Sequence, residues 1–241
     1  EVTVLSEDMK SNVVGQGAKS DSVHVIPAWY DVKTTREISR EENRFIKKYN
    51  IPTYKFYVQF AGTIGYVFNY KTVIELAKRL KEEKDIVIQI VGDGTVKNEF
   101  EEEVKAEHLE NITFYPLQPV ELVPDVYSAC DICVIPLKRG VIWSGVPSKA
   151  PILMACKRVI VNSVEKESQY AKMYAENDMG IAVDIDDYDG LVDAVKMRYS
   201  SPETINRMAE NAYQFVQNNY SSTKSIEKLL EVFNKAVEKK K

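Results

Sequence analysis

The sequence is poor in the residues that build metal and redox sites. Two histidines, His24 and His108, stand far apart, and there are three cysteines, Cys130, Cys133 and Cys156. No Cys/His cluster has the spacing of a zinc site, and no Ser/His/Asp arrangement can be assembled. Three cysteines give no disulfide framework. Cys130 and Cys133 have C-x-x-C spacing, but they fall where a helix end passes into the apolar run DICVIP. A reactive pair needs its first thiol at an exposed helix N-terminus, so these are expected to be small buried residues. Positive charge is not in excess: 32 basic residues face 36 acidic ones, for a net charge of -4. That balance removes long-range attraction to nucleic acid. No apolar run approaches the ~20 residues of a spanning helix. The start, EVTVLSEDMK, has the features of neither a signal peptide nor a transit peptide.

What is present is a folded, core-forming chain of 241 residues, 44% of them apolar, enough for one large domain or one and a half ordinary ones. From Lys55 onward, short apolar runs alternate with amphipathic segments. The strand candidates are KFYVQFA, DIVIQIV, ITFYP, DICVIP, RVIVNS and GIAVD, most of them apolar on both faces, as buried parallel strands are. Between them, Val73, Ile74, Ala77 and Leu80 form one helical stripe, and Phe100 and Val104 mark a second helix whose glutamates are a solvated face. Val126, Tyr127 and Ala129 fit a short helix. This alternation predicts an α/β fold with a doubly wound parallel sheet, which takes its ligand outside the carboxyl ends of the strands.

The tail carries two further stripes: Ile205, Met208, Ala209, Ala212, Phe215 and Val216, then Ile226, Leu229, Leu230, Phe233 and Val237. NNYSST separates them, with a cap expected at Ser222. At the other end, a strand VTVLS, a helix over EDMKSNVVGQG and a strand in VHVIPAWYD look like the close of a unit that begins earlier.

Two stretches point to chemistry. In AGTIG, Gly62 and Gly65 flank Thr63 and let a ligand approach the main chain, and a helix start just after the turn is expected to offer free N–H groups to a phosphate. Its G-x-x-G spacing is weak by itself. The second is PLKRGVIWSGVPSK, residues 136–149. Lys138, Arg139 and Lys149 bring three cations to the ligand end of the sheet, Gly140, Ser144, Gly145 and Ser148 supply flexibility and donors, and Pro147 suits the first turn of the next helix. VGDG, residues 91–94, reads as a structural turn.

HVIPAWYD, FAGTIGY, IVGDG, ITFYPLQPVELVPDVYSACDICVIPLKRG and GVPSK, in this order and spacing, resemble the donor-binding half of a family 4 glycosyltransferase of the GT-B fold. The bacterial sugar transferases of surface-polysaccharide assembly are the most similar subgroup. The resemblance implies four parts: residues 1–27 as the end of a missing N-terminal acceptor-binding domain, 28–54 as an interdomain segment, 55–219 as a Rossmann-like nucleotide-sugar-binding domain, and 220–241 as a C-terminal helix that crosses back to the other half. It implies sugar transfer from a nucleoside-diphosphate donor, UDP or GDP type, to a polysaccharide or lipid-linked acceptor, with retention and without a metal. The nucleotide-sugar is substrate, and no cofactor is expected. The expected donor-binding set is Gly62, Thr63, Gly65, Leu117, Gln118, Lys138, Arg139, Ser144, Gly145, Ser148 and Lys149, with Leu117 and Gln118 meeting the base through their backbone. No catalytic residue is assigned. The implied location is the cytoplasm, peripheral to the inner membrane, where the full-length enzyme meets its acceptor and the membrane surface.

The sequence departs from the family pattern at several places. Thr63 stands where an Arg is usual, and Lys71 is offset from the usual Lys. Ile142 and Ile152 fall where paired glutamates stand, and Gln169 replaces a Glu. Lys157 to Val159 reads KRV where the subgroup has Gly-Arg-Pro. Two other readings are a sugar-nucleotide epimerase of the same architecture, for which this half offers no acid–base constellation, and a non-catalytic nucleotide-binding or assembly module, which the absent glutamates favour.

Overall fold

The computed structural model describes residues 1–238, and for Arg198 and Tyr199 the backbone alone. The chain opens with β1 (Val2–Val4), α1 (Glu7–Gly15) and β2 (Val23–Val25), the two strands pairing in parallel. A short helix, α2 (Arg44–Tyr49), precedes the main sheet. Then follow β3 (Phe56–Ala61), α3 (Tyr70–Leu80), β4 (Ile86–Val91), α4 (Lys97–Ala106), β5 (Ile112–Tyr115), α5 (Val123–Ser128) and β6 (Ile132–Pro136). The chain continues through α6 (Ala150–Ala155), β7 (Val159–Ser163), α7 (Gln169–Glu176), β8 (Ile181–Val183), α8 (Tyr188–Ser200), α9 (Pro202–Asn219) and α10 (Ser222–Glu238).

The six strands from β3 to β8 are all parallel, in the order β5-β4-β3-β6-β7-β8. The chain winds outward from β3 to β5, returns to the other side of β3, and winds outward again. The winding direction therefore reverses between β3 and β6, where a crevice opens beyond the carboxyl ends of those strands. Each predicted strand is present, shorter by a residue or two at its polar flanks.

Burial explains the pattern. All six residues of β3 and all five of β6 and of β7 are buried, because helices cover both faces of the sheet. One apolar cluster joins the sheet to α3, α4 and α8, and the other joins it to α2, α5, α6, α7 and α9. Val73, Ile74, Ala77 and Leu80 are all buried on α3, as their spacing predicts. The polar residues inside the two central runs, Gln59 and Gln89, are joined across the β3–β4 pair: Gln59 Nε2 donates to Gln89 Oε1 (3.1 Å) and to the Val126 carbonyl (3.0 Å), while Gln59 Oε1 and Gln89 Nε2 have no partner among the described residues.

Several local expectations shift. Pro147 stands outside the helix it was expected to open; α6 begins at Ala150, with Pro151 in its first turn. The cap before α10 is Ser221, whose Oγ accepts from Lys224 N (3.5 Å), because the break falls one residue earlier than the periodicity suggests. The apolar stripe of α10 faces outward: Ile226, Leu230, Phe233 and Val237 are exposed, while Ser225 and Val232 turn inward. Segment 28–54 holds α2, whose Phe45 and Ile46 are buried and whose Arg44 pairs with Asp125. Among the described residues no helix is long and apolar enough to cross a membrane.

The opening βαβ unit is fastened to the main sheet by a buried carboxylate. Asp8 on α1 accepts from the amides of Gln169 (2.7 Å) and Tyr170 (2.9 Å), the first two of α7. Ser168 Oγ takes the third, from Ala171 (3.1 Å). Farther along α1, Asn12 donates to the Trp143 carbonyl (2.9 Å), inside the loop that follows β6.

Candidate functional site

The crevice at the reversal point is walled by the loop after β3, residues 62–69, and the loop after β6, residues 137–149. The first is locked by the neighbouring VGDG turn. Gly62 N donates to the Val91 carbonyl (2.9 Å) and Ile64 N to the Asp93 carbonyl (2.9 Å). Gly92, at φ 149°, lies so close that a Cβ there would stand 2.0 Å from the Gly62 carbonyl oxygen. The expected structural role of VGDG is thus met by backbone packed on backbone.

The alternation has a chemical consequence. Amides 62 and 64 are consumed inside the fold, whereas the N–H groups of Thr63 and Gly65 make no hydrogen bond among the described residues. The expected helix start directly after the turn is not there: α3 begins at Tyr70. Residues 66–68 instead cross toward β6, with Phe68 bridged to Leu137 and Lys138 N donating to the Val67 carbonyl (3.0 Å). Donors at this turn are therefore loop amides and the exposed Thr63, not a helix terminus.

Lys149 closes the crevice from the second loop. Its ammonium stands 3.6 Å from the centroid of the Phe60 ring and against Gly62, where a Cβ would lie 2.6 Å from Nζ. Gly62, at φ 143°, thus contributes a missing side chain. The ammonium makes no hydrogen bond or ion pair among the described residues. Loss of water around it pushes its pKa down from 10.5 to about 7, since burial disfavours the charged form and the ring face offsets little of that. The amides of Ser148 and Lys149 also have no partner among the described residues. Four unpaired amides and an unpaired lysine thus line the two loops, a set that suits a multiply charged anion.

The other expected site residues divide. Lys138 lies over the exposed ring of Tyr66 (4.9 Å), at the rim. Arg139 turns away to the loop after β8, where it meets Asp186 (3.1 Å) and Asp184 (3.6 Å) and is neutralised. Ser144 Oγ bonds back to the Val141 carbonyl (3.3 Å), and the Gly145 amide does the same (2.9 Å). Ser148 is exposed. Leu117 is exposed beyond β5, whereas the Gln118 side chain is buried, donating to Tyr49 Oη (2.9 Å) and accepting from Lys48 (3.0 Å). Lys71 is bound to Glu103 and lies on α3. Ile142, at one position of the absent glutamates, is fully buried core, and Ile152 packs against it only partly buried.

Two members of this region were not legible as site residues. Phe60 reads only as a strand residue, and Glu165 as one charge in a polar turn; Glu165 is in fact buried, with Oε1 accepting from Gly140 N. Cys130 and Cys133 lie 3.3 Å apart and buried, and burial holds the Cys133 thiol well above its usual range, which fits inert thiols. Among the described residues no group of three or more His, Cys, Asp or Glu could hold a metal ion.

Comparison with known proteins bears on this arrangement. The sequence model of the family described as "Glycosyl transferases group 1" matches residues 41–215. WcaI of Escherichia coli (strain K12), named for colanic acid biosynthesis as a glycosyl transferase, is 26% identical over 183 residues, which cover 76% of this chain and 44% of WcaI. WbjE of Pseudomonas aeruginosa, named as a glycosyltransferase, is 24% identical over 181 residues, 74% of this chain and 44% of its own. The chain thus spans less than half the length of these curated relatives. Among solved structures, a glycosyltransferase from Rickettsia africae ESF-5 superposes with a TM-score of 0.82 at 16% identity, covering 98% of this chain and 63% of the other. Anabaena Alr3699/HepE, in complex with UDP and glucose, superposes with a TM-score of 0.77 at 14% identity, covering 97% and 63%. A family match across most of the chain, carried on the doubly wound sheet of these structures, places the protein in the glycosyl transferases group 1 family.

Proposed function

We propose that this chain is the donor-binding part of an enzyme that transfers a sugar from a nucleoside diphosphate to a polysaccharide or lipid-linked acceptor. The observation that carries the reading is Lys149, an unpaired ammonium held over Phe60 and against Gly62 at the reversal point of the sheet. A lone, half-buried cation beside unpaired amides is an unfavourable arrangement by itself and a favourable one around an anion. A diphosphate bound there would accept from the Thr63, Gly65, Ser148 and Lys149 amides and restore the charge of Lys149. Negative charge grows on the leaving diphosphate as the glycosidic bond breaks. Donors already aimed at that place lower the barrier without reorganising. Lys138, over the Tyr66 ring in the same loop pair, would add to the field. Arg139, tied to two aspartates, serves the loop after β8. The base would lie along the β5 side, against Leu117 and the backbone at Gln118.

Retention at the anomeric carbon and independence of a metal belong to the same reading, as does a cytoplasmic protein working at the inner-membrane surface, where lipid-linked acceptors lie. WcaI's name supports the surface-polysaccharide assignment. The test is calorimetric titration with UDP, GDP and uridine. Lys149→Ala should weaken the matching diphosphate about 10- to 100-fold, as loss of one charge-assisted hydrogen bond does, and uridine hardly at all. Lys84→Ala, in the turn before β4, is the control. Failure of both diphosphates to bind the unaltered protein, or an equal effect of Lys149→Ala on uridine, overturns the reading.

A further inference from the structure

We propose that Glu165 receives a hydroxyl of the sugar carried by the nucleoside diphosphate, through the carboxylate oxygen that the protein leaves without a partner. The proposal rests on the donor-site reading above and adds to it the group that recognises the transferred sugar. Glu165 follows β7 and is 6% exposed. Its Oε1 accepts from Gly140 N, while its Oε2 is closed to water and has no hydrogen bond among the described residues. A buried carboxylate oxygen without a hydrogen bond is a vacancy for a donor.

The carboxylate is also held in place. Ser168 Oγ (2.6 Å) and Ser168 N (3.1 Å) both donate to the Glu165 carbonyl, which fixes the backbone beneath the side chain. Arg139, the cation of the adjoining loop, is engaged first by Asp186 and Asp184 and reaches Glu165 only as a weaker attraction, with no hydrogen bond to its Oε2. The residue bound to the other oxygen lies at the surface: Gly140 is exposed, and a Cβ there would meet nothing within 4 Å.

Strand order supplies the direction. With the base beyond β5 and the diphosphate between β3 and β6, a donor lies across the strand ends, each step being about 4.8 Å. The sugar continues past β6 and arrives at the loop after β7, which begins at Val164 and holds Glu165. An anionic oxygen repels phosphate and accepts from neutral O–H groups, so the part of the ligand it suits is the hydroxyl-bearing ring.

Glu165→Gln separates the roles, because the amide oxygen still accepts from Gly140 while the second oxygen becomes a donor. UDP and UDP-glucose, and GDP and GDP-mannose, are titrated into the wild-type protein and the variant, with thermal melts to check the fold. The variant should bind the nucleotide-sugar of the matching pair roughly tenfold more weakly, as loss of one charge-assisted hydrogen bond gives, and the bare diphosphate within about twofold of wild type. Equal affinity of variant and wild type for the nucleotide-sugar means that Oε2 makes no contact with the sugar, and overturns the proposal. A parallel loss on the bare diphosphate reduces Glu165 to an anchor of the loop, and also overturns it. If neither pair binds the wild-type protein, the donor-site reading itself fails and this proposal falls with it. Should Glu165→Gln unfold, the wild-type protein is titrated with deoxy analogues of the matching nucleotide-sugar: loss of one sugar hydroxyl should weaken binding roughly tenfold, and equal affinity for every analogue overturns the proposal.

Discussion

Gly62 and Lys149 meet through an absent side chain: a Cβ on Gly62 would lie 2.6 Å from the lysine's Nζ. Two loops from strands on either side of the reversal point are thereby brought into contact, and the crevice takes its shape from that contact.

Gly62→Ala is expected to damage binding and stability together. The glycine sits at φ 143°, where a side chain costs about 1–3 kcal/mol. The methyl group also drives the ammonium from its place over Phe60. Diphosphate affinity should fall roughly tenfold, as when one charge-assisted contact is lost. Calorimetry and urea unfolding read the two effects separately. Unchanged affinity would mean that Lys149 has no need of this glycine.

Gly92→Ala should be the harsher change, although Gly92 touches no proposed ligand. Its Cβ would stand 2.0 Å from the Gly62 carbonyl oxygen, which is main chain and cannot swing aside. Overpacking of this kind costs about 1–3 kcal/mol, and the positive φ adds a similar amount. The urea midpoint should drop with the m-value unchanged. A midpoint within error of wild type would show that the two turns can separate.

Asp8→Ala tests how firmly the opening βαβ unit is joined to the main sheet. It strips the acceptor from the part-buried amide of Gln169 and the buried amide of Tyr170, and an unsatisfied buried donor costs about 1–3 kcal/mol. Asp8→Asn keeps one acceptor oxygen and should lose less. Hydrogen exchange is expected to quicken at the start of α7 first. Protection there equal to wild type would count against the clasp.

The sheet was legible because buried parallel strands leave a signature in short windows: VIVNS or FYVQFA can be little else, and the stripe of α3 repeats at helical spacing. The crevice was legible in part. Lys149 stands out as a cation in a glycine-bearing loop, and the fold sets it over Phe60 and against Gly62, between the two loops. Arg139, equally basic and nearby in sequence, is not set there, because Asp184 and Asp186 lie across a fold contact that no local pattern announces. The sequence marks Gly62 as a place where a ligand can approach the main chain, yet its amide is taken by Val91 and its use is to leave room for Lys149. Glu165 was missed for the converse reason, since a glutamate between Val164 and Lys166 looks solvated until the loop after β6 folds over it. The α10 stripe shows the limit of periodicity, which finds an apolar face without saying what covers it.

The last prediction concerns protons. Burial lowers the Lys149 pKa from 10.5 to about 7, so the unfolded chain holds the proton and the folded chain releases it between those values. Stability from this group therefore rises with pH from about 7 to 10.5, and its penalty is complete below that window. Lys149→Met should remove the slope, which urea unfolding at pH 7 and pH 9.5 would detect. Ligand binding runs the other way. A diphosphate favours the charged lysine and must draw a proton from solvent above pH 7, so affinity should fall about tenfold between pH 7 and pH 8.5. Titrations in buffers of different ionisation enthalpy should show proton uptake approaching one per site at the higher pH. Arginine keeps its charge throughout this range, so Lys149→Arg should bind with a flat profile and no uptake, though its fork fits the slot beside Gly62 less well. Parallel profiles for wild type and Lys149→Arg would mean that the ammonium over Phe60 stays charged in the empty protein, and that the crevice is wetter than its lining suggests.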